Sequence, residues 1–305
     1  CEQNCYQPHD SISCESKMET CLFTKNQAHP KTSTGFTVQW LGHASFVIKT
    51  PDGQQLLLDP VSQQFDWPVN WAFRLSQGFN RKVPEVQLND DELKKTNAVM
   101  YSHIHYDHFN KDDISRIGTN TEFLTPLGFA GHFPGGGYNI TEMAWFANKS
   151  IGDVNIHFVP AHHFSSRIWV PYLYEDEDKT LWGGWLIEHQ GKKLFFAGDT
   201  GYSKHFKDIN QKYGDIDVCL MPIASYHHEK HSKWYRYVHT TPEDTINAAQ
   251  DLNCKVMIPW GYGNSSWKMG DRTSHSALFR LLNMDNQMQN SVPLYILNEG
   301  EKITL

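Results

Sequence analysis

Apolar and polar residues alternate in short runs along most of this chain, and several runs end in clusters of His and Asp. That texture predicts strands with polar ends more than long helices. Predicted strands cover residues 36–40, 45–49 and 55–58, the last stopping at Asp59-Pro60. Residues 62–84 read as a long, aromatic, strand-poor loop carrying Phe65, Trp67, Trp71, Phe73 and Phe79, bounded by Pro84. Loops of that length are uncommon unless they are functional. A short helix is predicted over 90–95, then a strand over 98–101 that delivers a His cluster onto a loop.

The second half repeats this grammar. Residues 155–159 form a predicted strand ending at Pro160-Ala161-His162-His163, and 181–188 and 193–197 two more, the latter ending at Gly198-Asp199-Thr200-Gly201. An apolar strand over 218–222 runs into a His-rich loop. Thr241-Pro242-Glu243-Asp244 is a helix start, with Thr as cap, Pro in the first turn and acids facing the positive end of the dipole. That helix is predicted to reach about Leu252, followed by a strand over 255–258. Strands ending in polar ligands, with helices between them, imply a layered α/β sandwich whose site lies at one edge of the sheets.

Residues 1–34 are polar and aperiodic and read as a Cys-rich N-terminal segment, with a single folded domain over 35–305. Cys1, Cys5, Cys14 and Cys21 crowd into this segment. That density suits disulfide stapling in an oxidising compartment, whereas the spacing has no close CxxC pair for a zinc site. A chain starting with Cys ahead of a polar stretch has the form of a mature bacterial lipoprotein, lipid-anchored through Cys1 in the cell envelope. The alternative is a periplasmic or cytoplasmic chain that merely starts there. Cys219 and Cys254 sit in apolar runs and are expected to be buried thiols.

Composition narrows the partners. The 305 residues carry a formal charge of −7 with no long basic run, so a nucleic-acid partner is not expected. No apolar stretch approaches the roughly 18 residues of a membrane-spanning helix. Aromatics reach 13%, with ten Trp, enough to line a core or a cleft.

The chemistry concentrates in His103-Ile104-His105-Tyr106-Asp107-His108, the pattern HxHxDH. Imidazoles and a carboxylate suit a borderline metal such as zinc, with iron or manganese also compatible. Four such donors within six residues, on a loop after a strand, can serve two ions. His163 and Asp199, each after a strand, and His239, before the capped helix, have the form of completing residues. A lone His or strand-end Asp is ordinarily just a satisfied polar group; these gain weight because HxHxDH needs partners.

With these motifs the chain resembles the metallo-β-lactamase superfamily, and more narrowly the N-acylphosphatidylethanolamine-hydrolysing phospholipase D family. The resemblance covers residues 35–299. It rests on Trp40-Leu41-Gly42-His43-Ala44, Leu58-Asp59-Pro60, residues 101–108, Thr125-Pro126-Leu127-Gly128, residues 160–167, Trp182-Gly183-Gly184-Trp185, residues 195–202, 239–244, and Trp260-Gly261. It implies a four-layer αββα sandwich and a phosphodiesterase that uses a metal-bound hydroxide on a phospholipid or small phosphodiester. Carried over, His103, His105 and His163 would hold one zinc, Asp107 and His108 a second, and Asp199 would bridge them. Asp59 would orient a ligand histidine, and Asp107 and His239 would be the catalytic side chains. Peripheral membrane association and a homodimer are compatible with the resemblance.

One departure matters. The family places its last ligand as a His directly before Trp-Gly, and here that residue is Pro259, which has no donor atom. His227, His228 or His231 in the nearby loop is the candidate replacement, against a merely solvated loop. The rival readings are a hydrolase of another small ester, lactone or phosphodiester, and a one-metal binding or sensor protein without turnover.

Overall fold

The computed structural model describes residues 7, 9–14, 21–24, 33–77, 82–167, 169–170, 174–175, 178–227, 230–266 and 273–305. The chain opens with a hairpin of β1 (Ile12–Cys14) and β2 (Cys21–Phe23), closed by a Cys14–Cys21 disulfide. The first half continues through β3 (Thr37–Gly42), β4 (Ser45–Lys49), β5 (Gln55–Leu58), α1 (Val69–Gln77), α2 (Asp90–Leu93), β6 (Ala98–Met100), α3 (Lys111–Ile117), β7 (Glu122–Pro126) and β8 (Asn139–Met143). Next come β9 (Asn148–Ile151), β10 (Val154–Val159), a small hairpin of β11 (Trp169–Val170) and β12 (Tyr174–Glu175), β13 (Gly184–His189) and β14 (Lys192–Phe196). The last part holds α4 (His205–Tyr213), β15 (Val218–Pro222), α5 (Ser232–Val238), α6 (Pro242–Asp251), β16 (Val256–Trp260), α7 (Ser276–Gln287) and β17 (Lys302–Thr304).

Two mixed sheets result, in the orders β17-β3-β4-β5-β6-β7-β8 and β16-β15-β14-β13-β10-β9. The period-two alternation of side chains explains the layering. In β5 and β6, Leu56, Leu58, Ala98 and Met100 turn inward and join Phe158, Trp185 and Phe196 of the other sheet in one core. Leu57 and Val99 turn outward onto Leu93, Ile114 and Ile117 of α2 and α3. The second sheet has its own outer layer, since Phe206, Ile246, Ala249 and Leu278 of α4, α6 and α7 are buried in the core with it. This is the expected αββα sandwich.

Strand β17 pairs antiparallel with β3, Ile303 opposite Val38, and Leu305 accepts from the Thr34 and Gly35 amides at 2.8 and 2.5 Å. The β1–β2 hairpin docks beside this edge. The Phe23 amide donates to Asn298 Oδ1 at 2.8 Å, and Asn298 Nδ2 returns a bond to the Phe23 carbonyl at 3.0 Å.

Two expectations need correction. The stretch 62–84 is not all loop, because α1 forms within it: Pro68 stands directly before the helix and its carbonyl accepts from the Ala72 amide at 3.0 Å. Aromatic-rich composition hid a segment free of Gly and helix-breaking interior Pro. Phe79 lies outside the described residues. Cys219 and Cys254 are not free thiols: β15 and β16 are parallel neighbours, which brings the two Cα atoms to 6.0 Å and joins the sulfurs in a disulfide.

Candidate metal centre

All residues of the centre but His239, which follows a helix, sit at a strand end or on a loop beyond one. Strand β6 hands the chain to Ser102 and His103; a turn then closes as the His108 and Phe109 amides reach the His105 carbonyl at 3.1 and 3.0 Å. Asn110 ends the loop by capping α3, accepting from the Asp112 and Asp113 amides at 3.0 and 3.1 Å.

Asp59 holds this loop from the neighbouring strand end. Its carboxylate is fully buried and accepts from the Ser102 amide at 2.7 Å, the Ser102 hydroxyl at 2.5 Å and His108 Nδ1 at 2.7 Å. Donating at Nδ1 leaves His108 Nε2 facing the centre. Burial pushes Asp59 upward against His108 and Ser102. Burial alone would lower His108, but Asp199 and Asp107 outweigh it and hold the imidazole well above its ordinary range.

The second sheet brings the remaining groups. His163 follows β10 and donates from Nδ1 to the Val238 carbonyl at 2.9 Å, turning Nε2 to within 3.3 Å of His105 Nδ1. Asp199 follows β14 through Gly198, whose φ is +61°. A Cβ there would lie 2.7 Å from the Gly183 carbonyl oxygen and 2.9 Å from Ser102 Cβ, so only glycine lets the two loops approach this closely. His239 follows α5, its Nε2 3.3 Å from Asp199 Oδ2.

Four groups of donor atoms lie within 4.8 Å of one another: His103, His105 and His163; His43, Asp107 and His108; His103, His108 and Asp199; and His163, Asp199 and His239. Thus His103 and His105 share one cluster and Asp107 and His108 another, with Asp199 touching both. Burial depresses His103, His105 and His163, His105 to about 4, so these imidazoles are neutral with lone pairs available near pH 7. Burial opposes ionisation of Asp107 and Asp199 too, but His108 beside them holds both carboxyls low and charged.

The donor set fits a metal. Zinc at 2.0–2.1 Å from each nitrogen spaces tetrahedral donors roughly 3.4 Å apart. Here His103 Nε2 is 2.8 Å from His105 Nδ1, and His108 Nε2 is 3.2 Å from Asp199 Oδ2. His108 Nε2 is buried yet makes no well-aligned hydrogen bond, a cost that a cation would relieve.

Among the replacement candidates, His227 and His231 are exposed and belong to no such cluster among the described residues, and His228 lies outside those residues. Instead His43, from the turn between β3 and β4, reaches Asp107 Oδ2 with Nε2 at 2.9 Å. Sequence reasoning passed over it, and its one signal was a His between two strands inside a motif already noted.

It also passed over Arg167, whose side chain is 3% exposed. One guanidinium nitrogen donates to the Ile104 and Phe109 carbonyls at 3.0 and 2.9 Å, another pairs with Asp66, and the plane covers Tyr106 at 3.9 Å. Arg167 therefore clamps the HxHxDH loop from both flanks. Arg167→Lys replaces a fork by a point donor. It is expected to cost about 3 kcal/mol in urea unfolding, since buried acceptors lose their partner. A loss under 0.5 kcal/mol, the scale of an ordinary surface change, would contradict this clamp.

A family model described as the beta-lactamase superfamily domain matches residues 54–262, which span the HxHxDH loop, His163, Asp199 and His239. The chain belongs to the beta-lactamase superfamily. Within this superfamily it is 31% identical over 239 residues to an uncharacterized Mycobacterium tuberculosis protein, covering 73% of this chain and 58% of the relative's length. It thus spans little more than half of that relative. It is 26% identical over 272 residues to an N-acyl-phosphatidylethanolamine-hydrolyzing phospholipase D of Caenorhabditis elegans, covering 83% of this chain and 71% of that one. In structure it is similar to a metallo hydrolase of the archaeon Ignicoccus hospitalis, at TM-score 0.62 and 19% identity, covering 88% of this chain and 98% of that one.

Proposed function

We propose that the chain is a metal-dependent hydrolase, and specifically a phosphodiesterase acting on a phospholipid of the N-acylphosphatidylethanolamine type. The observation that carries this reading is the pair of donor clusters joined by Asp199 at the floor of an open cleft. The cleft, of about 260 Å³, is walled by Tyr106, Phe164, Trp234, Tyr235 and His239 and floored by His105, Asp107, His163 and Asp199.

In this reading His103, His105 and His163 hold one ion and Asp107 and His108 a second, with Asp199 between them. Bound zinc, or iron or manganese in its place, supplies an activated water and offsets charge on the phosphoryl oxygens. The chain's own residues do the rest. Asp59 fixes the His108 tautomer, and the Val238 carbonyl fixes that of His163. His239 Nδ1 is buried without a hydrogen bond while Nε2 faces Asp199, so the ring is placed to pass a proton at the cleft floor. Phe164 and Trp234, with ring centroids 5.6 Å apart, give one wall an apolar face suited to acyl chain or glycerol backbone.

A lipid substrate also finds support outside the cleft. Trp67, Trp71 and Leu75 are 83%, 62% and 67% exposed; Trp71 and Leu75 lie one turn apart on α1, and Trp67 precedes that helix next to Asp66, the partner of Arg167. Three large apolar side chains left in water suit the headgroup region of a bilayer. Among the described residues no helix is long and apolar enough to cross a membrane, so contact would be at the surface.

The deciding assay offers zinc-loaded protein three substrates: N-acylphosphatidylethanolamine in vesicles, bis(p-nitrophenyl) phosphate and a simple lactone. Release of phosphatidic acid is expected, with weaker turnover of the soluble phosphodiester. Lactone hydrolysis without phosphodiester turnover would move the reading to a different bond, and no turnover at all would leave a binding or sensor protein. The variant Trp67→Ala/Trp71→Ala/Leu75→Ala is expected to raise KM for vesicles at least several-fold while leaving the soluble substrate unaffected.

A further inference from the structure

We infer that His43 is the terminal ligand of the second metal position, standing in for the donor that Pro259 cannot supply; this rests on the two-ion reading above. Donor atoms of His43, Asp107 and His108 lie within 4.8 Å of one another at that position, and Asp199 adjoins them through His108. His43 Nε2 lies 2.9 Å from Asp107 Oδ2, which lies 3.7 Å from His108 Nε2, which in turn lies 3.2 Å from Asp199 Oδ2. These separations bracket the roughly 3.4 Å between tetrahedral zinc donors, and the set of two imidazoles and two carboxylates is one that zinc accepts. Without His43 the position would have three protein ligands, two of them carboxylates.

The local backbone is built to deliver this ring. The register of β3 against β4 shifts between Trp40 and Gly42, and Gly42 and His43 then take φ values of +131° and +48°. A Cβ on Gly42 would lie 2.4 Å from Ser265 Oγ, so that position has no room for a side chain. His43 is no glycine, and an imidazole in the left-handed region is sparsely populated. The turn is held there by Trp40 Nε1, which donates to the His43 carbonyl at 2.9 Å.

The ring also fills the right space. Its centroid lies 5.5 Å from that of His108 and 6.3 Å from that of Trp260, the residue directly after Pro259. His43 thus approaches the second position from the first sheet, beside the end of β16 where the family's usual ligand would originate. Only 5% of the residue is exposed, so the imidazole is not a solvated surface group.

The competing role is that of a hydrogen-bond donor that merely positions Asp107. Two variants separate the roles. His43→Gln keeps a donor of similar reach for Asp107 but binds zinc poorly. His43→Asn suits the left-handed turn and keeps an amide donor, so it guards against a variant that fails to fold. Zinc per chain is measured by elemental analysis after dialysis against metal-free buffer, and zinc affinity by calorimetric titration of the metal-free protein. Wild type is expected to retain two ions and both variants one, with the second Kd weakened more than about 100-fold, beyond the range typical of partners that only orient a ligand. Retention of two ions by either variant overturns the inference and leaves the two-ion reading intact. A wild type that binds one ion also overturns it, and a wild type that binds none sinks the metal-hydrolase reading itself.

Discussion

Asp199→Ala is expected to lower kcat/KM against any phosphodiester substrate by on the order of 10³-fold or more, equivalent to about 4 kcal/mol, and to strip metal from the protein. Asp199 Oδ2 faces His108 Nε2 at 3.2 Å, His239 Nε2 at 3.3 Å and His163 Nε2 at 3.9 Å. It is the carboxylate that adjoins a member of each donor cluster, His108 and His163, so its removal is expected to weaken two positions at once. Its loss also leaves His108 without one of the charges that hold that imidazole above its ordinary range. Asp199→Asn keeps the shape without the charge and should fall nearly as far, since the deficit is electrostatic. Far-ultraviolet circular dichroism should match wild type, because Asp199 lies beyond the end of β14 and carries no ladder bond. An Asp199→Ala protein within tenfold of wild-type activity and with full metal content would remove Asp199 from the centre.

Asp59→Ala should act mainly on stability and only secondarily on chemistry. Three buried donors, the Ser102 amide, the Ser102 hydroxyl and His108 Nδ1, depend on this carboxylate. Leaving them unpaired in a dry site is expected to cost about 3–5 kcal/mol, read as a lower urea midpoint with unchanged slope. The freed His108 ring loses its fixed tautomer, and zinc affinity should weaken roughly 10- to 100-fold. Asp59→Asn retains the volume and one acceptor oxygen, so it should fold better while still showing the affinity loss. If both variants kept wild-type zinc affinity, Asp59 would be a structural anchor for Ser102 alone.

The parts of this molecule legible in its sequence are those where the signal is local. The strands 45–49, 55–58 and 218–222 coincide with β4, β5 and β15 because each is a short apolar run ended by a turn residue. Thr241 caps α6, accepting from the Asp244 amide at 3.1 Å, since cap chemistry is written within four residues. The edge strands β8 and β9 escaped notice because they are half-exposed, NITEM and NKSI lacking a clean alternation. Helices α3, α4, α5 and α7 also went unread, and α1 was hidden by the aromatic composition around it, its own Trp71 facing outward.

The same logic divides the centre. His103, His105, Asp107 and His108 stand within six residues and announce themselves. His43 and Arg167 act across 64 and 63 residues, on Asp107 and on Ile104, respectively, and nothing nearby in the chain marks their destination. The Cys219–Cys254 bond is invisible for the same reason, being set by which strands become neighbours.

Strand β17 bears on how this protein comes to be made. It covers the outer edge of β3 from far along the chain, Lys302 opposite Gln39 and Thr304 opposite Thr37. During synthesis on a ribosome, β3 emerges about 260 residues before its partner, a gap that takes roughly 13–50 s at 5–20 residues per second. Throughout that interval an apolar strand carrying Val38 and Trp40 presents unpaired amides and carbonyls, the template on which chains join edge to edge. The edge of β3 is thus protected by a segment made long after it, and deleting residues 302–305 should favour aggregation and lower the yield of folded protein.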